Sequence, residues 1–416
     1  MAARQSAFLE KASVAARGDD GSPRQAWTES LEKLQRMLQA SGAPSLKGEV
    51  FGRDALPMLL PVWEDLCARS AEDNVYYSPR YAQALLESAE KNTDVSFAVV
   101  WDDSRLVAFL PVTRPTFAIP GLRPGGRAWQ SKYTYSCTPL LDAVLKVHAA
   151  DALLTVLASI SAGEWVLPTL NTDGEACQAM IVALAQRQMP WTFLNHFQRA
   201  TLGAGCTFDE HMSARVDPKR RKGLARNRRR LEERGKLAHE SHVCGAGLER
   251  AVAAFLEIEA RGWKGRRGTA LACDDRTRQF AAGAFTGEEG HSICRADVLT
   301  LDGAPIAVSL IAVAGRTGFA VKACYDEAYR SYSPGLLLET EVIRGFLSGH
   351  WADRLDSATS GTHVLESLWP GRIDVADLMC SLSPHHPALR LSALQRSSQL
   401  SGTVRRGLKR LVRSAR

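Results

Sequence analysis

Apolar positions recur along the chain at two periods, and the period separates helix from strand. Near the start, Trp27, Leu31, Leu34, Met37 and Leu38 follow Ser22-Pro23 at helical spacing, and Gly42 ends the run. That pattern predicts an amphipathic helix with a serine cap and a proline in its first turn. Leu59, Leu60, Val62, Trp63 and Leu66 predict a second helix, and Ser78-Pro79 opens a third through Tyr81, Leu85 and Leu86. Residues 95–100 and 106–112 flank the turn Asp102-Asp103-Ser104 and predict a hairpin. A Gly/Pro-rich loop covers 120–126, residues 153–160 and 165–170 continue the alternating pattern, and 177–186 predicts another helix.

The second half is more legible. A basic helix is expected over 218–235, then helices over 248–261 and 277–285. Strands follow at 293–301, 305–313 and 319–325, with Asp302-Gly303 as a hairpin turn between the first two. A long helix over 335–349 and a strand over 352–359 close the series. Three antiparallel strands feeding a helix and a parallel strand define an α/β fold of mixed sheets.

A chain of 416 residues exceeds one compact core. The expected division is an appendage at 1–48, a first domain at 49–206, a second at 207–385 and a basic tail at 386–416. No apolar run reaches the roughly 18 to 20 residues that cross a bilayer. Arg4, Glu10, Lys11 and Arg17 interrupt any secretory signal, so a cytoplasmic place, or one on the inner face of a membrane, is expected. The nine cysteines stand singly, without C-x-x-C spacing, as reduced thiols do. His385-His386 has no third ligand nearby, so no metal is expected.

The net charge of +7 is local. Residues 215–236 hold eleven Lys/Arg against three acids, and 403–416 hold six and none. The basic helix suits an anionic glycan, a nucleotide phosphate or a nucleic acid. No aromatic residue interleaves it, so nucleic acid is not the expected partner. In the tail, Val404, Leu408, Leu411 and Val412 share a face ringed by basic residues, which suits weak contact with anionic membrane.

The segment between the strand at 319–325 and the following helix carries the chemistry. A helix start offers unpaired N–H groups and about half a positive charge, and small residues let an anion approach the backbone. Arg330, Ser331, Ser333, Gly335 and Leu336 are the candidate anion-binding residues, with Ser333 as cap and Pro334 in the first turn. Arg330-x-x-Ser333-x-Gly335 is a degenerate form of R/Q-x-x-G-x-G/A, the acyl-CoA loop of GNAT acyltransferases.

Several further segments resemble the GNAT-superfamily acyltransferases grouped with cellulose-biosynthesis acetyltransferases, the BioF-like family. They are Trp63-Glu64-x-Leu66, Tyr77-Ser78-Pro79, the basic helix over 222–235, and Glu259-x-x-x-Trp263-Lys264-Gly265-x-x-Gly268-Thr269-Ala270. The closest is Tyr325-x-x-x-Tyr329-x-x-Tyr332-Ser333-Pro334-Gly335. The resemblance implies tandem GNAT-like domains joined by the basic helix, and acetyl or other acyl transfer from acyl-CoA to an amine or hydroxyl. The acceptor is expected to be a small molecule or a glycan of an exopolysaccharide or cell envelope. Gly361 and Trp369 keep the family's spacing, but Leu365-Glu366 stands where the family has Tyr-Lys.

Such transfer needs a base, an acid for the departing thiolate, and an acceptor platform. Tyr325 and Tyr332 are candidate acids, and Asp356 and Glu259 are candidate bases. Trp263, Lys264 and Trp369 are candidate substrate-binding residues. Two other functions fit the same features: Fem-like transfer from aminoacyl-tRNA, and a catalytically silent scaffold of this fold.

Overall fold

The computed structural model describes residues 25–40, 44–114, 125–359 and 364–382. The predicted cap at Ser22-Pro23, residues Gly361 and His385-His386, and the tail at 386–416 lie outside them. In chain order the first half comprises α1 (Gln25–Ala40), β1 (Leu46–Phe51), α2 (Leu56–Ala68), α3 (Pro79–Glu87), β2 (Ser96–Asp102) and β3 (Arg105–Thr113). It continues with β4 (Gly126–Ala128), β5 (Leu140–Leu141), α4 (Lys146–Ile160), β6 (Glu164–Asn171), α5 (Glu175–Gln186) and β7 (Trp191–Gly203). The second half begins with α6 (Phe208–Arg215), α7 (Pro218–Glu232), β8 (Leu237–His242), α8 (Gly245–Arg261), α9 (Trp263–Arg266) and α10 (Asp275–Phe285). Then come β9 (Cys294–Leu301), β10 (Ala304–Ala314), β11 (Thr317–Tyr325), α11 (Pro334–Gly349), β12 (Arg354–Asp356) and β13 (Gly371–Ser381).

The chain forms two compact units that do not follow chain order. Unit 1 takes Met1–Tyr77, Asp94–Phe197 and Asp374–Arg416; unit 2 takes Ser78–Thr93 and Gln198–Ile373. Helix α3 belongs to unit 2 because Tyr81 packs edge-on against Phe280 and Phe285 of α10, at 5.3 and 6.1 Å.

Each unit has the same pairing scheme. In unit 1, β1, β2, β3 and β4 pair antiparallel in sequence, β4 pairs parallel with β6, and β6 pairs antiparallel with β13. In unit 2, β8, β9, β10 and β11 pair antiparallel, β11 pairs parallel with β12, and β12 pairs antiparallel with β7. A helix links each parallel pair, α4 in unit 1 and α11 in unit 2. The fold is mixed α/β, as the order of elements predicts.

Two expectations are corrected. Residues 153–160 are helical: Val147, Ala150, Leu153, Leu154 and Leu157 are buried at helical spacing and α4 covers all of them. The strand expected over 352–359 is confined to Arg354–Asp356, with Ser357 N–H still reaching the Ala200 carbonyl at 3.0 Å. The basic helix packs within unit 2: Leu224 and Leu231 of α7 are buried in that unit's core with Val342, Ile343 and Phe346 of α11. Among the described residues no helix is long and apolar enough to cross a membrane.

Candidate active site

Strands β11 and β12 pair only from Thr317↔Arg354 to Phe319↔Asp356. Beyond that point β11 continues to Tyr325 while β12 stops, so the parallel pair opens into a fork. Just past the opening, the β10–β11 register shifts between Leu310 and Ile311, which leaves Val321 as a bulge. A bulge turns backbone groups out of the ladder, and bulges gather at active sites for that reason.

The chain leaves the fork through a 3-10 turn (Glu327–Tyr332), whose Ala328 N–H is capped by Asp326, and enters α11. Ser333 does not cap this helix as expected. It adopts a left-handed conformation (φ 55°, ψ 52°) and makes no side-chain cap bond. A capping serine normally sits in the extended region, where its oxygen can reach the next amides. Left-handed geometry is what the family's glycine allows at this position without cost.

Three tip amides are already used: Ser333 N–H donates to the Arg330 carbonyl, and Leu336 and Leu337 N–H to that of Ser333. Pro334, as expected, occupies the first turn and has no N–H. The tip therefore offers the Gly335 N–H and the positive end of the helix dipole. Among the described residues, and leaving aside its chain neighbours and own helix, a Cβ built on Gly335 would meet the Tyr325 ring alone within 4 Å, at 3.5 Å, so an anion has room to approach. Arg330 and Ser331 are exposed beside it.

The basic helix adds positive charge beside Arg330, a contact with this loop that the sequence does not reveal. Arg230 lies over the Tyr332 ring at 5.0 Å and Arg234 over those of Tyr332 and Tyr329 at 5.7 and 5.9 Å. Arg234 also donates to the Tyr332 hydroxyl at 3.2 Å, and this bond lowers the phenol's pKa below its ordinary value. Arg228 pairs with Glu341 and ties α7 to α11.

On the α8 side of the loop lies a shallow depression of about 70 Å³ lined by Glu259, Trp263, Lys264, Cys324, Tyr325 and Glu327 among others. The local glycines shape it: a Cβ on Gly265 would sit 1.7 Å from the Ala260 carbonyl oxygen. Glu259 is 3% exposed. It accepts from Lys264 Nζ at 2.7 Å and from Leu271 N–H at 2.8 Å. Trp263 is 48% exposed and is held by a bond from its N–H to Glu327 at 2.8 Å. Arg266 pairs with Glu327 at 2.7 Å, and the Arg266 bond is the main reason that the carboxyl's pKa is lowered. Burial, with Glu259 nearby, pushes the Cys324 thiol up, and burial likewise raises Cys137 to about 11 and Cys380 to about 12. All nine cysteines are free, and these three are poor nucleophiles.

Thus Glu259, Trp263, Lys264 and Tyr325 meet in one depression, and Tyr325 joins it to Gly335 at the helix tip. Tyr332 turns instead to the basic helix. Asp356 is buried, with its carboxylate on Arg199 at 3.4 Å and on the Ala358 N–H at 2.7 Å. Trp369 is fully buried and donates its indole N–H to Glu339 at 2.8 Å. Both are thus built into the frame of unit 2. Glu366 pairs with Arg372 at 3.6 Å.

Unit 1 holds the same fork but fills it. Past the β4–β6 pairs Gly126↔Trp165 and Arg127↔Val166, buried Cys137 reaches the Trp129 carbonyl at 3.5 Å and Thr169 Oγ1 at 4.0 Å. At the approach to α4, Asp142 accepts from the N–H groups of Val144 and Leu145 at 2.9 and 3.0 Å. Arg69 and Arg105 pair with the same carboxylate. The protein's own anion thus stands where unit 2 leaves space.

Residues 218–354, a third of the chain, match the family profile described as "Acetyltransferase (GNAT) domain". The matched stretch runs from α7 to the fork and lies within unit 2, which is therefore the part of the chain similar to such a domain. No curated protein matches the chain. Among solved structures, the chain is similar to the C-terminal domain (DUF2156) of a putative lysylphosphatidylglycerol synthetase from Agrobacterium fabrum (TM-score 0.50, 11% identity, 82% of this chain and 96% of that one). It is similar to FemX (0.50, 9%, 80% and 97%) and to a conserved protein of unknown function from Bacteroides thetaiotaomicron VPI-5482 (0.50, 13%, 80% and 100%). At these identities the likeness shows the fold alone.

Proposed function

We propose that unit 2 transfers an acetyl or other acyl group from acyl-CoA to an amine or hydroxyl on a small-molecule or glycan acceptor, as the BioF-like resemblance suggests for exopolysaccharide or the cell envelope. The observation that carries this reading is the α11 tip beside the fork, left open at Gly335 and without a side-chain cap. In this reading the pantetheine arm runs along the free edge of β11. The donor's phosphates meet the Gly335 N–H, Arg330, Arg230 and Arg234. The acceptor enters over Trp263 and attacks the thioester carbon at the fork. As the C–S bond breaks, the Tyr325 hydroxyl gives its proton to the thiolate, and Glu259, held by Lys264, takes the acceptor's proton. Reversing the charge in Arg330→Glu is expected to weaken CoA binding by about tenfold or more. Unchanged affinity in calorimetry would refute the assignment.

A second reading is Fem-like transfer from aminoacyl-tRNA. It draws support from the packing of the basic helix against the loop. A thermal shift with tRNA and none with CoA esters would select it.

A further inference from the structure

The basic helix carries more charge than the phosphates of CoA can use. At about 100° per residue, Lys219, Lys222, Arg226 and Arg230 fall within roughly 80° of arc, on the side of α7 away from its buried Leu224 and Leu231. All four are exposed. The two acids of the helix's last turn are engaged elsewhere, Glu232 with Arg228 and Glu233 with Arg229. Among the described residues no ion pair involves Lys219, Lys222 or Arg226, and the Asp217 carboxylate caps the helix start. Only Arg230 touches the loop. The other three stand about one, two and three turns further off, so the stripe extends about 17 Å along the axis.

CoA places its diphosphate at the helix tip and its 3′-phosphate one ribose further on, which still falls short of Lys219, about three turns beyond Arg230. A stripe of this length fits a macromolecular anion. It is straight, one helix wide and without an aromatic side chain to stack a base, a shape that suits another helix better than a nucleic acid. Its loop end meets a site for a phosphate carrying a pantetheine arm. A carrier domain joins these two features, because it presents phosphopantetheine at the end of an acidic helix.

We propose that the exposed stripe of α7 docks the acidic helix of a phosphopantetheine carrier domain, so that unit 2 accepts acyl groups from a protein-bound thioester. The inference rests on the thioester reading of the same site. CoA and the carrier share the arm and its first phosphate; they differ in what lies beyond, a nucleotide or an acidic protein.

The test uses the full chain and fluorescently labelled holo acyl carrier protein of bacterial fatty-acid synthesis. Binding is followed by anisotropy, with CoA binding measured in parallel by calorimetry. Saturable binding is expected, weakening about tenfold between about 50 and 200 mM salt, because exposed charges are screened. The double variant Lys222→Glu, Arg226→Glu should lose about tenfold or more of carrier affinity while CoA affinity stays within about twofold. CoA binding without carrier binding, or carrier binding that ignores the double variant, overturns the inference and leaves the acyltransferase reading intact. Preferential binding of tRNA, lost in the double variant, reassigns the stripe to RNA and also overturns it. Binding of neither CoA nor carrier removes the donor site itself and the inference with it.

Discussion

Glu339 shows how one residue can bear on the stability of the whole site. Its side chain is enclosed between α11 and Trp369, and burial raises its pKa to about 8. The unfolded chain releases this proton near the ordinary carboxyl value, so between roughly pH 4.5 and 8 folding takes up a proton. Its contribution is most favourable below the unfolded pKa and is lost as pH rises toward 8. Glu339→Gln keeps an acceptor for the indole N–H and removes the titration. It is expected to raise stability at pH 8 by roughly 2–4 kcal/mol and to flatten the pH profile. Denaturant melts at pH 5 and pH 8 check this, and an equal effect at both would reject it. The sequence shows Glu339 as one more carboxyl on an apolar helix; only packing reveals that water cannot reach it. Arg230 and Arg234 were equally silent, since about a hundred residues separate them from the tyrosines they stack on. Glu259, Trp263, Lys264 and Tyr325 could be read in advance because they sit in a compact glycine-rich segment or at a strand end.

Among the elements, the start of α11 carries the strain that the site requires. A left-handed serine costs about 1–2 kcal/mol that glycine avoids, while glycine loses about 0.5–1 kcal/mol through its freer unfolded chain. Ser333→Gly should therefore match or slightly exceed the parent in stability, whereas β-branched Ser333→Val should lose about 1–3 kcal/mol. Thermal unfolding of the two variants decides, and an undiminished Val variant would contradict the geometry. Elements with strong periods were visible beforehand, among them the hairpins β2–β3 and β9–β10 and the helices α8 and α10. Strands β1 and β8 were missed because they are six residues each and polar residues break their apolar run, Lys47 and Glu49 in β1 and His239, Glu240, Ser241 and His242 in β8. Strands β7 and β13 were missed because their polar residues interrupt the alternation, as Asn195, His196, Asp374 and Asp377 do.

For the whole molecule, the repeated pairing scheme poses the question of one donor site or two. In unit 1 the contacts of Cys137 with Trp129 and Thr169 and the carboxylate of Asp142 occupy the fork and the helix approach. Calorimetric titration with CoA is expected to saturate at one molecule per chain; two would show that Asp142 is displaced. The tandem order of elements was already plain in the chain, as was the loop after Tyr325, because turn residues, caps and hydrophobic periods act over a few neighbours. The exchange of segments was not: Ser78–Thr93 joins unit 2 and Asp374–Arg416 joins unit 1. Nor was it visible that arginines about a hundred residues upstream stack on the loop's tyrosines. Local patterns fix what each segment becomes; partners distant in sequence are chosen by burial and charge, which exist only once the chain has folded.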